Sequence, residues 1–255
     1  MSGNMVVENL TQRFGGLTAL NHVSMEVNLG EIVGVIGPNG AGKTTLFNVI
    51  TGVYKASEGA VYLNGEKING LKPHQITRLG FARTFQNIRL FGKMTVLENV
   101  QMGMCCRAKA GLFDDILNTK KKTEERKAQE KRAEELLGIM GLADKKYEAP
   151  KSLPYGEQRR LEIARAMATD PNILLLDEPA AGMNEQETGE LLSTVQRLRE
   201  MGYTIILIEH DMKFVMNVCD RIYVLNHGEL IASGTPEEIQ KNEDVIEAYL
   251  GKEED

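Results

Sequence analysis

Residues Gly37 to Thr45 read GPNGAGKTT, and no other stretch so restricts what this chain can fold into. A loop of this kind works only between a strand and a helix. The flanks supply both, with the apolar run Ile32 to Ile36 before it and the helix-compatible stretch Thr44 to Thr51 behind. Gly37, Gly40 and Gly42, spaced by Pro38, Asn39 and Ala41, let the backbone curl with its N–H groups inward. Those donors converge with the helix N-terminus on phosphate oxygens. Lys43 adds a point charge, Thr44 offers a hydroxyl to a magnesium ion bridging the terminal phosphates, and Thr45 completes the run. At average residue frequencies such a pattern should arise by chance in roughly one chain in a hundred of this size.

A second nucleotide signal answers it downstream, ILLLDEP at Ile173 to Pro179. Asp177 ends a hydrophobic strand, where α/β sheets place ligand-facing groups, and its carboxylate can hold magnesium directly or through water. Glu178 follows, placed to face the γ-phosphate and polarise an attacking water. Together the two segments indicate a nucleotide hydrolase.

With 255 residues and 42% hydrophobic content, the chain can bury one large domain, or a core plus an inserted subdomain. The net charge of −6 argues against broad nucleic-acid binding. Cys105, Cys106 and Cys219 include no pair at metal-ligand spacing, so neither a disulfide framework nor a zinc site is indicated, and they read as buried or inert thiols. No basic-then-apolar leader is read at the start, and apolar runs such as Ile205 to Ile208 fall far below the eighteen or so residues of a membrane span. The expectation is a cytoplasmic protein that meets a membrane only through a partner.

Strand-like runs come first: Met5 to Leu10, then Val23, Met25 and Val27 before Gly30, and Ala60 to Leu63 before the hairpin signal Asn64-Gly65. An antiparallel edge should therefore accompany the nucleotide core. Between Leu90 and Pro150 the pattern turns helical, with Ala133, Leu136, Leu137 and Met140 on one face. The charged run Lys120 to Arg132 alternates in sign and holds an i,i+4 pair, Arg126 and Glu130, so it reads as a solvated helix face. A helix runs from Glu157 to Thr169. The buried runs Ile173 to Leu176 and Thr204 to Ile208, with a helix between them, then argue a parallel sheet. Thr235-Pro-Glu-Glu238 combines an N-cap, a first-turn proline and a capping-box glutamate, opening a last helix towards Leu250.

These motifs, taken in order, resemble the ATP-binding cassette family, the nucleotide-binding subunits of ABC transporters, over nearly the whole chain. Arg83-Thr-Phe-Gln86 looks like its Q-loop, Leu153-Pro-Tyr-Gly-Glu157 its signature segment, and Ile208-Glu-His210-Asp its switch histidine. The resemblance implies an α/β fold, a P-loop NTPase cassette with a RecA-like parallel-sheet core, an antiparallel β subdomain and an inserted α-helical subdomain. Core and β subdomain would occupy 1–88 and 166–255, and the insertion 89–165. It implies ATP and Mg2+ as ligands, and assigns Gln86 to sensing the metal and attacking water and His210 to the γ-phosphate. Phe14 stands where the family places an aromatic that stacks on adenine.

In this family the signature acts across a dimer, so Pro154, Tyr155, Gly156 and Glu157 would close over ATP held by a second cassette, either a different chain or a copy of this one. Pro154 departs from the usual serine and Tyr155 from the usual glycine. Proline supplies neither hydroxyl nor N–H to a phosphate. Either the composite site is weakened there or Pro154 simply starts the helix. Asn184 similarly replaces a usual aspartate in the loop between subunits.

FGGLTAL after Phe14, ARTFQNIRLF, PYGEQRRLEIAR, DEPAAGMN and the tail GTPEEI look most like ATPases of bacterial branched-chain amino acid importers. The implied partners are two transmembrane permease subunits and, indirectly, a solute-binding protein, with the chain peripheral on the inner face of the cell membrane. Met94, Val96 and Leu97 would either line the groove for a membrane-subunit helix or belong to the core. Alternatives are the ATPases of urea or short-amide import and of lipopolysaccharide export, a non-hydrolysing regulatory subunit, or a soluble cassette in translation or DNA repair. A P-loop GTPase or small-molecule kinase is a weaker reading, since no Asn-Lys-x-Asp motif is present and the signature segment would go unexplained.

Overall fold

Near-continuous apolar runs form buried parallel strands because both of their faces meet other layers. In the computed structural model, which describes residues 5–107 and 120–250, three such runs are β3 (Ile32–Ile36), β7 (Ile173–Asp177) and β8 (Thr204–Ile208), every residue buried. They join β6 (Phe81–Arg83) and β9 (Arg221–Asn226) in a sheet ordered β9-β3-β8-β7-β6, all neighbours parallel. β10 (Glu229–Gly234) is added antiparallel outside β9.

Successive side chains leave a strand on opposite faces. Leu174 and Leu176 accordingly join one apolar cluster and Ile173 and Leu175 the other. The first cluster packs the sheet against α3 (Val96–Met104), α4 (Lys120–Ile139), α5 (Tyr155–Met167), α6 (Glu185–Glu200) and α7 (Met212–Val218). The second packs it against α1 (Lys43–Ile50) and a four-stranded antiparallel sheet, in the order β2-β1-β4-β5. Here β1 is Met5–Phe14, β2 Leu17–Val27, β4 Glu58–Leu63 and β5 Glu66–Lys67. The short helix α2 (Pro73–Arg78) leads into β6. The fold is thus mixed α/β with one parallel and one antiparallel sheet. Arg221 Nη2 and the Tyr223 hydroxyl both donate to Glu26 O, at 2.9 and 3.0 Å, tying the two sheets together.

The Asn64-Gly65 hairpin is present, since Leu63 pairs with Glu66 and both turn residues have positive φ, 53° and 80°. Ala133, Leu136, Leu137 and Met140 are buried. Residues 124–132 of α4 present a largely exposed face, as the charge alternation requires; the side chains of 120–123 lie outside the described residues.

One expectation is corrected and two are narrowed. The last helix is two, α8 (Pro236–Gln240) and α9 (Glu243–Leu250), because Asn242 Oδ1 accepts from Val245 N at 3.1 Å and starts a second N-terminus. Of the two alternatives for Met94, Val96 and Leu97, burial among α3, α4 and α5 favours the core for Val96 and Leu97, while Leu97 also borders a surface cavity with half-buried Met94. Cys105 is exposed in the turn after α3, so of the three thiols it is Cys219 that the buried reading fits.

Candidate nucleotide site

The loop between β3 and α1 curls as its glycines require. Gly37, Gly40 and Gly42 have φ of 148°, 82° and 105°. Two of them are also forced by close approach: a Cβ at Gly37 would stand 2.0 Å from Leu225 O, and one at Gly42 2.7 Å from Ala19 O. Gly40 has open space about its Cα, so only its backbone conformation asks for glycine. Ala41 O accepts from Gly228 N at 3.0 Å, fixing the loop to the β9–β10 hairpin. Lys43 Nζ donates to Gly37 O at 2.6 Å and Pro38 O at 2.9 Å, using two of three donors. Burial holds its ammonium below the ordinary lysine range, and the charge of Glu178 opposes that shift.

Glu178 sits just past β7 with φ 47°, a left-handed conformation that costs a glutamate about 1–3 kcal/mol and marks functional turns. Its N–H donates to Ile208 O at 2.9 Å, locking the turn to the end of β8. The conformation places the carboxylate between two groups from elsewhere in the chain. Gln86 Nε2 donates to Oε2 at 2.8 Å, and His210 Nε2 lies 3.0 Å from Oε1. The three residues read as catalytic thus converge on one carboxylate. Glu178, His210 and residues 39–45 line a cavity of about 560 Å³. Phe14 edges this cavity at the end of β1, 42% exposed, its ring edge-on to Tyr54 with centroids 5.2 Å apart.

Asp177 is buried, and its Oδ2 accepts from Arg83 Nη2 at 2.6 Å. Thr44 is exposed in the cavity. Among the described residues no group of three or more His, Cys, Asp or Glu could hold a metal. A neutral hydroxyl and one carboxylate instead fit a magnesium ion that takes most of its oxygens from phosphates and water.

The signature residues stand apart from this cavity. Pro154 is the N-cap of α5, making no side-chain cap hydrogen bond. Tyr155 is exposed against Gly182, and Glu157 accepts from Lys145 Nζ at 2.6 Å. Gly156 N donates to Glu187 Oε1 at 3.1 Å. Glu187 is itself held in a capping box with Asn184, whose Oδ1 accepts from Glu187 N at 2.9 Å. The residue that departs from aspartate therefore caps α6.

Four residues near the site carry contacts to which the sequence reading attached no role. Arg83, at the end of β6, donates to Asp177 Oδ2 at 2.6 Å. Arg159, wholly buried, donates to Phe85 O at 2.6 Å, Gln86 O at 2.7 Å and Glu162 Oε2 at 2.9 Å, so α5 holds the segment that carries Gln86. Glu209, also buried, accepts from Ala180 N at 2.6 Å and His210 N at 3.1 Å, and burial raises its carboxyl above the usual range. His227, at φ 46° in the β9–β10 turn, lines the cavity. The sequence signal for Arg159 and Glu162 was available: an i,i+3 opposite-charge pair on the apolar side of a helix must be buried as a pair.

Known proteins resemble this chain throughout. The ABC transporter family profile matches residues 20–181, and a profile for branched-chain amino acid ATP-binding cassette transporters matches residues 229–255. The chain is 50% identical to the high-affinity branched-chain amino acid transport ATP-binding protein LivG of Salmonella typhimurium, covering 97% of this chain and 98% of that one. It is 48% identical to the corresponding protein BraF of Pseudomonas aeruginosa, over 96% and 97% of the two chains. Among solved structures, the ADP conformation of an ATP-binding cassette of an ABC transporter superposes with a TM-score of 0.85 at 32% identity, covering 99% of this chain and 100% of that one.

Proposed function

Because this chain belongs to the ATP-binding cassette transporter family, whose profile covers residues 20–181, we propose that it hydrolyses ATP to drive uptake of branched-chain or closely related amino acids. The observation that carries the site reading is the convergence of Gln86 and His210 on the two oxygens of Glu178, beside the phosphate loop. The match of residues 229–255 to the branched-chain profile supports the substrate class over the other transport systems that share the motifs.

In this reading residues 37–45 cradle the phosphates, the loop N–H groups and the start of α1 meeting their charge. Phe14 offers a ring face to the base. Thr44, Asp177 and Gln86 would hold Mg2+, which when bound would neutralise charge developing on the phosphate oxygens. Glu178 orients the attacking water and takes up its proton. The amide of Gln86 fixes one carboxylate oxygen, and His210, anchored through the Glu209 contact to its N–H, lies against the other, from where it would meet the γ-phosphate.

The signature residues 154–157 would serve a second cassette, whether another chain or a copy of this one. The insertion 89–165 would turn as a unit against the core at 1–88 and 166–255, carrying the change to two transmembrane subunits fed by a solute-binding protein. No helix of the described residues is long and apolar enough to cross a membrane, in keeping with a peripheral position on the inner face of the cell membrane.

The test is Glu178→Gln in the complex with its membrane subunits. ATP binding should persist while ATP turnover falls by about 10²–10⁴-fold, and solute uptake should fall with it. Turnover and uptake close to wild type would overturn the assignment.

A further inference from the structure

Arg83 has no part in the mechanism above, yet it is closely held against Asp177. Its two side chains are only 8% and 5% exposed. Five side chains lie against the guanidinium. Nη2 meets Asp177, and Nη1 donates to Asn48 Oδ1 at 2.7 Å and Thr51 Oγ1 at 3.3 Å, both on α1 or its C-cap. Cζ lies 5.7 Å from the centroid of the Phe47 ring and 5.2 Å from that of Phe85. The fork of donors and the two neighbouring rings suit a guanidinium. A positive charge is thus fixed against the buried carboxylate that the reading above assigns to the metal, next to Glu178, which itself lines the cavity.

We propose that Arg83 is a built-in counter-cation that keeps Asp177 from holding a divalent cation until a nucleotide carries that cation in. The proposal rests on the reading of Asp177 as the magnesium carboxylate. A carboxylate whose charge is already met by a guanidinium at 2.6 Å presents little net field to a dication, and the guanidinium itself repels one. No other cluster compensates: the described residues include no set of three or more His, Cys, Asp or Glu around a common point, and Thr44 brings a neutral hydroxyl. The phosphates must therefore supply the missing negative charge, which makes metal and nucleotide bind as one ligand. Magnesium, reluctant to shed water and usually held by few carboxylates plus phosphates, is suited to that arrangement. Arg83 is a positioning residue in this account, acting through Asp177.

The experiment measures Mn2+ binding to the full-length, nucleotide-free protein by electron paramagnetic resonance, for wild type, Arg83→Met, Arg83→Lys and Arg83→Met/Asp177→Asn. Arg83→Met should gain at least about tenfold in nucleotide-free Mn2+ affinity, since a unit charge at contact distance has been removed from a partly desolvated carboxylate. Arg83→Lys, which keeps the charge, should stay near wild type, and Asp177→Asn should erase the gain. A folded Arg83→Met with unchanged Mn2+ affinity overturns the proposal. If Arg83→Met is too unstable to measure, millimolar Mn2+ should raise its thermal midpoint and leave that of the double variant unmoved; no rise overturns it equally. Wild type carries an independent test, because nucleotide-free Mn2+ binding as tight as binding with ADP present refutes the idea whatever the variants do. Failure of the nucleotide-site reading would look different, as wild type would then bind no ATP.

Discussion

Replacing Arg159 by methionine removes a cation buried at the junction of α5 and the segment bearing Gln86. Arg159 and Glu162 have side-chain exposures of 0% and 1%, and the guanidinium also serves the carbonyls of Phe85 and Gln86. Breaking a buried pair from one side costs about 3–5 kcal/mol, because the remaining charge stays desolvated. At roughly 2–4 °C per kcal/mol for a chain of this size, the thermal midpoint should fall by about 6–20 °C. The deficit should also depend on pH. Burial already holds the Glu162 carboxyl above its usual range, with the charge of Arg159 the largest opposing influence. A carboxyl raised in the folded state contributes stability below its unfolded pKa and loses it as pH rises through the folded value. Without Arg159 the shift grows, so scanning calorimetry of wild type and variant should find a larger gap at about pH 8 than at about pH 5. Arg159→Met/Glu162→Leu should recover part of the loss, since no wholly buried charge is left alone, while Arg165 loses its 3.8 Å contact with Glu162 and the carbonyls of Phe85 and Gln86 still lack their donor. A midpoint within about 2 °C of wild type, or a gap equal at both pH values, would refute the reasoning.

Three further outcomes are expected. Gly37→Ala should unfold at markedly lower temperature than Gly40→Ala, because its Cβ meets Leu225 O while that of Gly40 meets nothing, leaving Gly40→Ala only the left-handed cost of about 1–2 kcal/mol; equal midpoints would contradict this. Brief maleimide treatment of the native protein near neutral pH should label exposed Cys105 and spare Cys219, whose thiol burial pushes far up; mass spectrometry finding Cys219 modified before denaturation would count against its burial. Glu187→Ala removes the acceptor of Gly156 N and one half of the α6 capping box, so the midpoint should drop by a few degrees, from a loss of about 1 kcal/mol; an unchanged midpoint would show those contacts to be idle.

Much of the fold and of the site was legible in residue order because the signals are local. β3, β7 and β8 announce themselves as unbroken apolar runs, the Asn64-Gly65 turn by its tolerance of positive φ, and the phosphate loop by glycines at fixed spacing. Gln86, Glu178 and His210 could be named from their motifs, although nothing in their spacing says that they share one carboxylate. The break between α8 and α9 was missed because Asn242 competes for the backbone of the next turn, and a helical pattern by itself does not show which competitor wins.

The sequence by itself therefore determined the kinds of element, the nucleotide loop and the chemistry on offer, all of which depend on residues close together along the chain. Only the tertiary structure decided the charge partners. That Asp177 faces Arg83, that Arg159 grips the carbonyls beside Gln86 and that Glu187 receives the N–H of Gly156 follows from sheet order and helix packing, which bring together residues 94, 73 and 31 positions apart. Buried charges and backbone donors must find partners wherever the fold places them, and a one-dimensional pattern carries no record of that place.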